Sequence, residues 1–156
     1  MTEALDTQDP SSRDLGLAAE QRAARALEEA GYLIIETNWV LRAEPVGDGD
    51  DDDRGCDQKP RRQGRAIGEL DVVAWHGGAG QTLCFIEVRS RANADHGHAA
   101  EMIDRGKRAR VSRMAGAYLH EKGRELRAEA YRFDAVAITG DVVDIIQDAW
   151  RLGIPT

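Results

Sequence analysis

Apolar and polar positions alternate along the chain in blocks whose period changes between that of a helix and that of a strand. Residues 15–30 are dominated by Ala, Leu, Glu and Arg, so they predict a helix, with Ser12 or Asp14 as its cap and Gly31 as the left-handed residue that ends it. Gly16, Glu20, Ala24 and Leu27 follow one another at i, i+4, i+8 and i+11, which puts one carboxylate on the small-residue stripe that should face a sheet. Residues 32–39 (YLIIETNW) predict a strand, and residues 67–75 and 83–89, joined by the turn HGGAGQ, predict a β-hairpin. A second helix is predicted over 99–122, with Val111, Met114, Ala115, Tyr118 and Leu119 as its apolar face. Lys107 precedes Val111 by four positions and Met114 by seven, so its amine falls on that face too. Strands over 131–139 and 142–146 flank the turn signal Gly140-Asp141, and Ala149 and Trp150 follow as a packing tail. The order αβββαββ, with no internal repeat, predicts an α/β sandwich around a central mixed sheet.

What falls outside this pattern sets the domain limits. Residues 1–14 are polar with Pro10 among them, and are expected to be a disordered tail; 15–150 make one domain, and 151–156 a second tail. Within the domain, residues 43–65 carry Gly, Pro and the run Asp50-Asp51-Asp52-Asp53, followed by Lys59, Arg61, Arg62 and Arg65. Such a segment cannot offset its ordering entropy by burial, so a mobile acidic insertion is expected there.

A length of 156 residues with 42% hydrophobic side chains suffices for one soluble domain. No run approaches the roughly 18 apolar residues of a membrane span. The start Met1-Thr2-Glu3 lacks a basic n-region, and Cys56 and Cys84 form neither a CxxC pair nor a disulfide framework. A cytoplasmic protein is therefore expected. The formal charge of −7 argues against polyanion binding until its distribution is considered. Between Arg105 and Arg132 nine basic residues face three acidic ones, so the rest of the chain carries all the negative excess. This basic segment, with Lys107, Arg108 and Arg110 near its start, is either a solvated helix face or a surface that orients nucleic acid. With only Tyr118 and Tyr131 inside it, it is no stacking platform for single strands.

Candidate chemistry sits in the hairpin. Glu69 and Asp71 are two apart on one strand, and Glu87 and Arg89 on the next, so each pair should project to one side. A register that sets Asp71 beside Glu87 brings like charges together, which destabilises a sheet unless a cation lies between them. Hard carboxylate oxygens suit Mg²⁺ or Mn²⁺; the alternative is that these are edge charges that limit aggregation. Lys107 has three readings: a snorkelling core lysine, which its spacing favours, a replacement amine for the site, or a phosphate contact. Arg132 and Asp134 share a strand face and read as a structural ion pair. His96-x-His98 invites zinc, but no further ligands stand at suitable spacing, and His76 and His120 read as surface residues.

Asp71, fifteen intervening residues and then Glu87-Val88-Arg89 resemble the PD-(D/E)xK nuclease signature, with Leu70 in the place of proline and Arg89 in that of lysine. A longer series is more specific: Gly16-x-x-x-Glu20, Gly31-Tyr32, Asn38-Trp39, Gly68-Glu69-Leu70-Asp71, Phe85 to Arg91, Lys107, Tyr118-Leu119, Arg132-Phe133-Asp134 and Asp148-Ala149-Trp150. In this order they resemble the YraN family of small bacterial proteins, whose fold is similar to restriction endonucleases and Holliday-junction resolvases. The resemblance implies Asp71, Glu87 and the Val88 carbonyl as metal ligands, with Glu20 approaching from the first helix. It further implies a Mg²⁺- or Mn²⁺-dependent endonuclease on branched DNA, with DNA favoured over RNA, and it makes a homodimer plausible because two nicks need two sites. Arg89 can stabilise charge but cannot act as a base. The alternative is a protein of the same fold without turnover that binds nucleic acid or a partner.

Overall fold

The computed structural model describes residues 12–44, 64–92 and 103–151. Small residues decide how the first helix docks. Helix α1 (Ser12–Glu29) buries Ala19, Ala23 and Leu27, a four-residue spacing that lets the helix backbone approach the sheet closely. Gly31, at φ 87°, donates its N–H to the Glu28 carbonyl at 3.0 Å and turns the chain into β1. The helix opens at Ser12, so residues 12–14 belong to it and not to the expected tail; 1–11 lie outside the described residues.

Five strands follow in sequence order across the sheet: β1 (Tyr32–Arg42), β2 (Ala66–His76), β3 (Thr82–Arg91), β4 (Ala130–Thr139) and β5 (Val142–Trp150). Helix α2 (Arg105–Leu126) crosses between β3 and β4, which alone are parallel, so the sheet is mixed as the element order predicts. Each helix covers one face. On the α1 side lie Val72, Ala74, Cys84, Ile86, Val88, Val136 and Ile138; on the α2 side Val73, Trp75, Leu83, Phe85, Phe133 and Ala135 pack against Val111, Met114, Ala115 and Tyr118. Covered on both sides, β3 and β4 read as nearly unbroken apolar runs, whereas the outer strands alternate. This two-helix, five-stranded arrangement is consistent with the restriction-endonuclease-like αβ fold.

Differences from the sequence reading lie at element ends. The strand predicted to stop at Ile146 runs to Trp150, because Asp148 adopts a left-handed φ of 50° and its N–H is taken by Asp134 at 2.9 Å. Trp150 thus pairs with Phe133 and stacks on it at 5.3 Å, inside the strand and not as a tail after it. Helix α2 starts after Asp104, not at 99, and continues four residues past Lys122 to Leu126. Arg127 ends it at φ 49°, with its N–H on the Gly123 carbonyl. Ala43 N–H donates to the Arg65 carbonyl at 2.9 Å, so the β1–β2 ladder closes at the base of the insertion. Residues 45–63 of the insertion expected over 43–65 lie outside the described residues, as does the pair His96 and His98.

Arg132 and Asp134 form the expected structural pair, and more. The fully buried Asp134 accepts both Arg132 Nε and Nη2 at 2.8 Å, the Tyr32 hydroxyl at 2.9 Å and the Asp148 N–H. Burial and the Asp134 charge raise the Tyr32 phenol well above its ordinary value.

Candidate functional site: carboxylates and cations where the β2–β3 hairpin opens

Residue pairing between β2 and β3 runs from His76–Thr82 to Val72–Ile86 and stops there. One position further, Asp71 replaces the missing backbone link with its side chain, whose Oδ2 accepts the Val88 N–H at 2.8 Å. Leu70 and Val73 both belong to the α2-side core although they are three apart, so strict alternation is broken between them, and Asp71 sits at the break. Glu87 lies between Ile86 and Val88, which pack on the α1 side, and so turns towards α2. There its Oε1 meets Arg89 Nη2 at 2.6 Å and Lys107 Nζ at 2.9 Å. Glu87 is 2% exposed, and Oε1 has neither cation aligned with it as a hydrogen-bond donor. Asp71 and Glu87 are close enough to sense each other: burial, then the Glu87 charge, push the Asp71 carboxyl up to about 6. The Val88 N–H, Lys107 and Arg89 pull the other way.

Lys107 reaches Glu87 because of where α2 begins. Asp104 is its N-cap, extended at φ −70° and ψ 173°, and its Oδ1 accepts the Lys107 N–H at 2.8 Å. This fixes Lys107 in the first turn, aimed at the mouth of the sheet. The reading of Lys107 as a snorkelling core lysine is therefore corrected: its amine turns onto the buried Glu87 carboxylate. Glu20 comes from α1 to a cavity of about 200 Å³ that it lines with Glu69, Asp71, Arg89 and Lys107. Its Oε2 is held by Asn38 Nδ2 at 3.0 Å. A second cavity, of about 230 Å³, shares Glu69 and Lys107 with the first and is continued by Gly68, Ile67 and Arg110. Arg108 is exposed beside it and donates from Nε to the Ile103 carbonyl. Sequence reasoning gave no role to Asn38 or Asp104. The Asp104 signal was available, since an aspartate just before a helix is a cap signature, but the helix formers at 99–102 drew the expected start upstream.

The donor set tests the metal reading. Asp71, the buried Glu87 Oε1 and the Val88 carbonyl are hard oxygens of the kind Mg²⁺ and Mn²⁺ take, and an under-satisfied buried carboxylate oxygen suits such an ion. Among the described residues, however, no three carboxylates, histidines or cysteines cluster closely enough to hold an ion by side chains alone. The chemistry fits an ion that takes few protein ligands and keeps waters or phosphate oxygens, and the two cations on Glu87 stand in its way.

Comparison with known sequences now decides the family. The profile of "Uncharacterised protein family UPF0102" matches residues 54–138, just over half of the chain. A UPF0102 protein of Vibrio cholerae is 37% identical over 141 residues, covering 89% of this chain and 93% of its own. The chain belongs to UPF0102. A UPF0102 protein of Burkholderia pseudomallei is 34% identical over 141 residues, covering 90% of this chain and 78% of its own. One of Myxococcus xanthus is 30% identical over 146 residues, covering 91% and 93%. UPF0102 is the YraN family, so the resemblance read from the sequence holds. No helix among the described residues is long and apolar enough to cross a membrane.

Proposed function

We propose that this UPF0102 protein is a divergent nuclease of the PD-(D/E)xK type that acts in the cytoplasm on branched or structured DNA. The observation that carries this reading is the meeting of Asp71, Glu87, Arg89 and Lys107 where the β2–β3 hairpin opens. Asp71, Glu87 and the Val88 carbonyl would hold Mg²⁺ or Mn²⁺, an ion that polarises a phosphoryl oxygen and acidifies water. Arg89 and Lys107 offer positive charge to the phosphate as negative charge builds on it in the transition state. Arg89, always protonated, orients and stabilises but takes no proton from water. Arg108 and Arg110, exposed on the first turns of α2, continue the positive rim along which a phosphate backbone is guided. A symmetric homodimer would place two such sites on the two strands of a junction.

A second reading has its own observation. Arg89 occupies the place of the motif lysine and is locked to Glu87, which favours a binding module that has lost turnover. A cleavage assay on flap, four-way-junction and linear DNA with Mg²⁺ or Mn²⁺ separates the two. Weak cleavage by the wild type, absent from Asp71→Ala and increased in Arg89→Lys, supports the nuclease. Salt-sensitive DNA binding with no cleavage by either the wild type or Arg89→Lys supports the module.

A further inference from the structure

We infer that Lys107 is a positioning residue that keeps Glu87 closed to metal until a phosphate backbone draws the amine away, so that metal and nucleic acid bind cooperatively. The inference rests on the metal-dependent reading above and adds to it the order in which the site assembles.

Charge and geometry both lead there. Glu87 Oε1 is buried with two cations against it, at 2.6 and 2.9 Å, so an ion that reaches this oxygen must displace one of them. Glu20, Glu69 and Asp71 line the cavity with Arg89 and Lys107, and both cations turn onto the one buried carboxylate beside it, Glu87. At Oε1 itself a divalent ion loses hydration on entry and meets two like charges until one of them moves. The two cations are not held equally. Arg89 is on the same strand as Glu87, two residues on, so its stem starts beside the carboxylate it meets. Lys107 reaches in from another element on a flexible stem and lines both cavities, whereas Arg89 lines one of them. An ammonium rotates among acceptors without a fixed fork. A phosphate placed in that groove competes with Glu87 for Lys107, and Oε1, then shared with Arg89 alone, opens to an ion on the side the amine has left. By linkage, whatever DNA does for metal affinity, metal does equally for DNA affinity.

The test uses the full chain and two readouts that do not depend on turnover. Mn²⁺ binding to the free protein is followed by the loss of the free-ion EPR signal. Binding of a fluorescent four-way junction is followed by anisotropy at constant ionic strength, in EDTA and in Ca²⁺. Lys107→Met should raise Mn²⁺ affinity of the free protein by about fivefold or more, the lower end of common coupling factors. Arg105→Met removes an equal charge from the same turn; if the effect is specific to Glu87, it should change Mn²⁺ affinity less than twofold. In the wild type, Ca²⁺ should tighten junction binding by about fivefold or more, and in Lys107→Met that factor should shrink towards one. Lys107→Gln serves as a second variant if the methionine protein melts early. If Lys107→Met binds Mn²⁺ no better than the wild type, or no better than Arg105→Met, Lys107 does not gate Glu87 and the inference is overturned. If the wild type binds Mn²⁺ tightly without DNA, and Ca²⁺ leaves junction affinity unchanged, the coupling fails while the metal reading stands. If no variant binds Mn²⁺ at millimolar concentration, the metal reading fails and the inference with it.

Discussion

The carboxylates of Asp134 and Asp71 are treated in opposite ways by the fold. Asp134 is enclosed by donors from Arg132, Tyr32 and the Asp148 backbone, so its charge is compensated on all sides. Replacing it with Ala leaves the partly exposed Arg132 guanidinium unpaired and the Tyr32 hydroxyl and Asp148 N–H without their acceptor, and Asp134→Ala should lose about 3 kcal/mol in urea unfolding, the lower end for breaking a buried pair because Arg132 keeps some contact with solvent. A loss under 1 kcal/mol would mean that solvent reaches the network. Asp71 has one backbone donor and an acidic neighbour, and its carboxyl is pushed up to about 6. An acid whose folded pKa exceeds its unfolded one, near 4, keeps a proton that the unfolded chain gives up. Its contribution therefore favours folding at low pH and is lost as pH rises from about 4 to about 6. Asp71→Asn can still accept the Val88 N–H and carries no charge. It should be more stable than the wild type at pH 7, and the advantage should vanish near pH 4 in thermal melts across that range. An advantage independent of pH would show that titration is not its cause. At this scale the sequence was informative where the hairpin pattern carries over: Asp71 and Glu87 fall on its two strands, and the structure sets them close enough to sense each other. That Lys107 faces Glu87 was not, since helical spacing alone places it on the apolar stripe.

At the scale of elements, strand interiors were legible and their ends were not. Alternation and turn signals locate the hairpin and the return strands, but only a left-handed Asp148, braced by Asp134, carries β5 on to Trp150, and no local pattern announces it. The start of α2 is the boundary with functional weight, because one cap decides where Lys107 points. Asp104→Ala removes the acceptor for the Lys107 N–H and should cost about 1 kcal/mol in denaturant unfolding, with Asp104→Asn within a few tenths of the wild type. The far end of the helix is held separately, by Lys122 and Tyr118 on Glu36 of β1. Loss of the cap should therefore fray the first turn without undocking the helix. Hydrogen exchange checks this: faster exchange confined to 105–109 in Asp104→Ala is the expected pattern. Acceleration through Tyr118 would show that the cap anchors the whole element.

At the scale of the molecule, the order αβββαββ fixed the class of fold, since a helix between β3 and β4 allows their parallel pairing. Which helix covers which face was not readable, because both are amphipathic and nothing local distinguishes the sides of a sheet. Charge follows the same division. The outward residues of α2, Arg105, Arg108, Arg110 and Arg113, are exposed, in a chain whose net charge is −7. If this face guides a phosphate backbone, binding must show counterion release, with log affinity falling linearly in log salt by about 0.9 per neutralised phosphate on a duplex. Replacing Arg108 and Arg110 together with Ala should lower that slope by about 2 and weaken binding alike across DNA sequences, since phosphate contacts carry no base information. Asp71→Ala, by contrast, removes a negative charge without touching the rim, so it should leave the slope unchanged in EDTA and bind DNA at least as tightly. Anisotropy titrations of the three proteins between 50 and 200 mM salt compare these directly. If the double variant keeps the wild-type slope, the α2 rim is only a solvated helix face, and the polyanion path must run on the other side of Lys107, past Gly16 and Glu20 of α1.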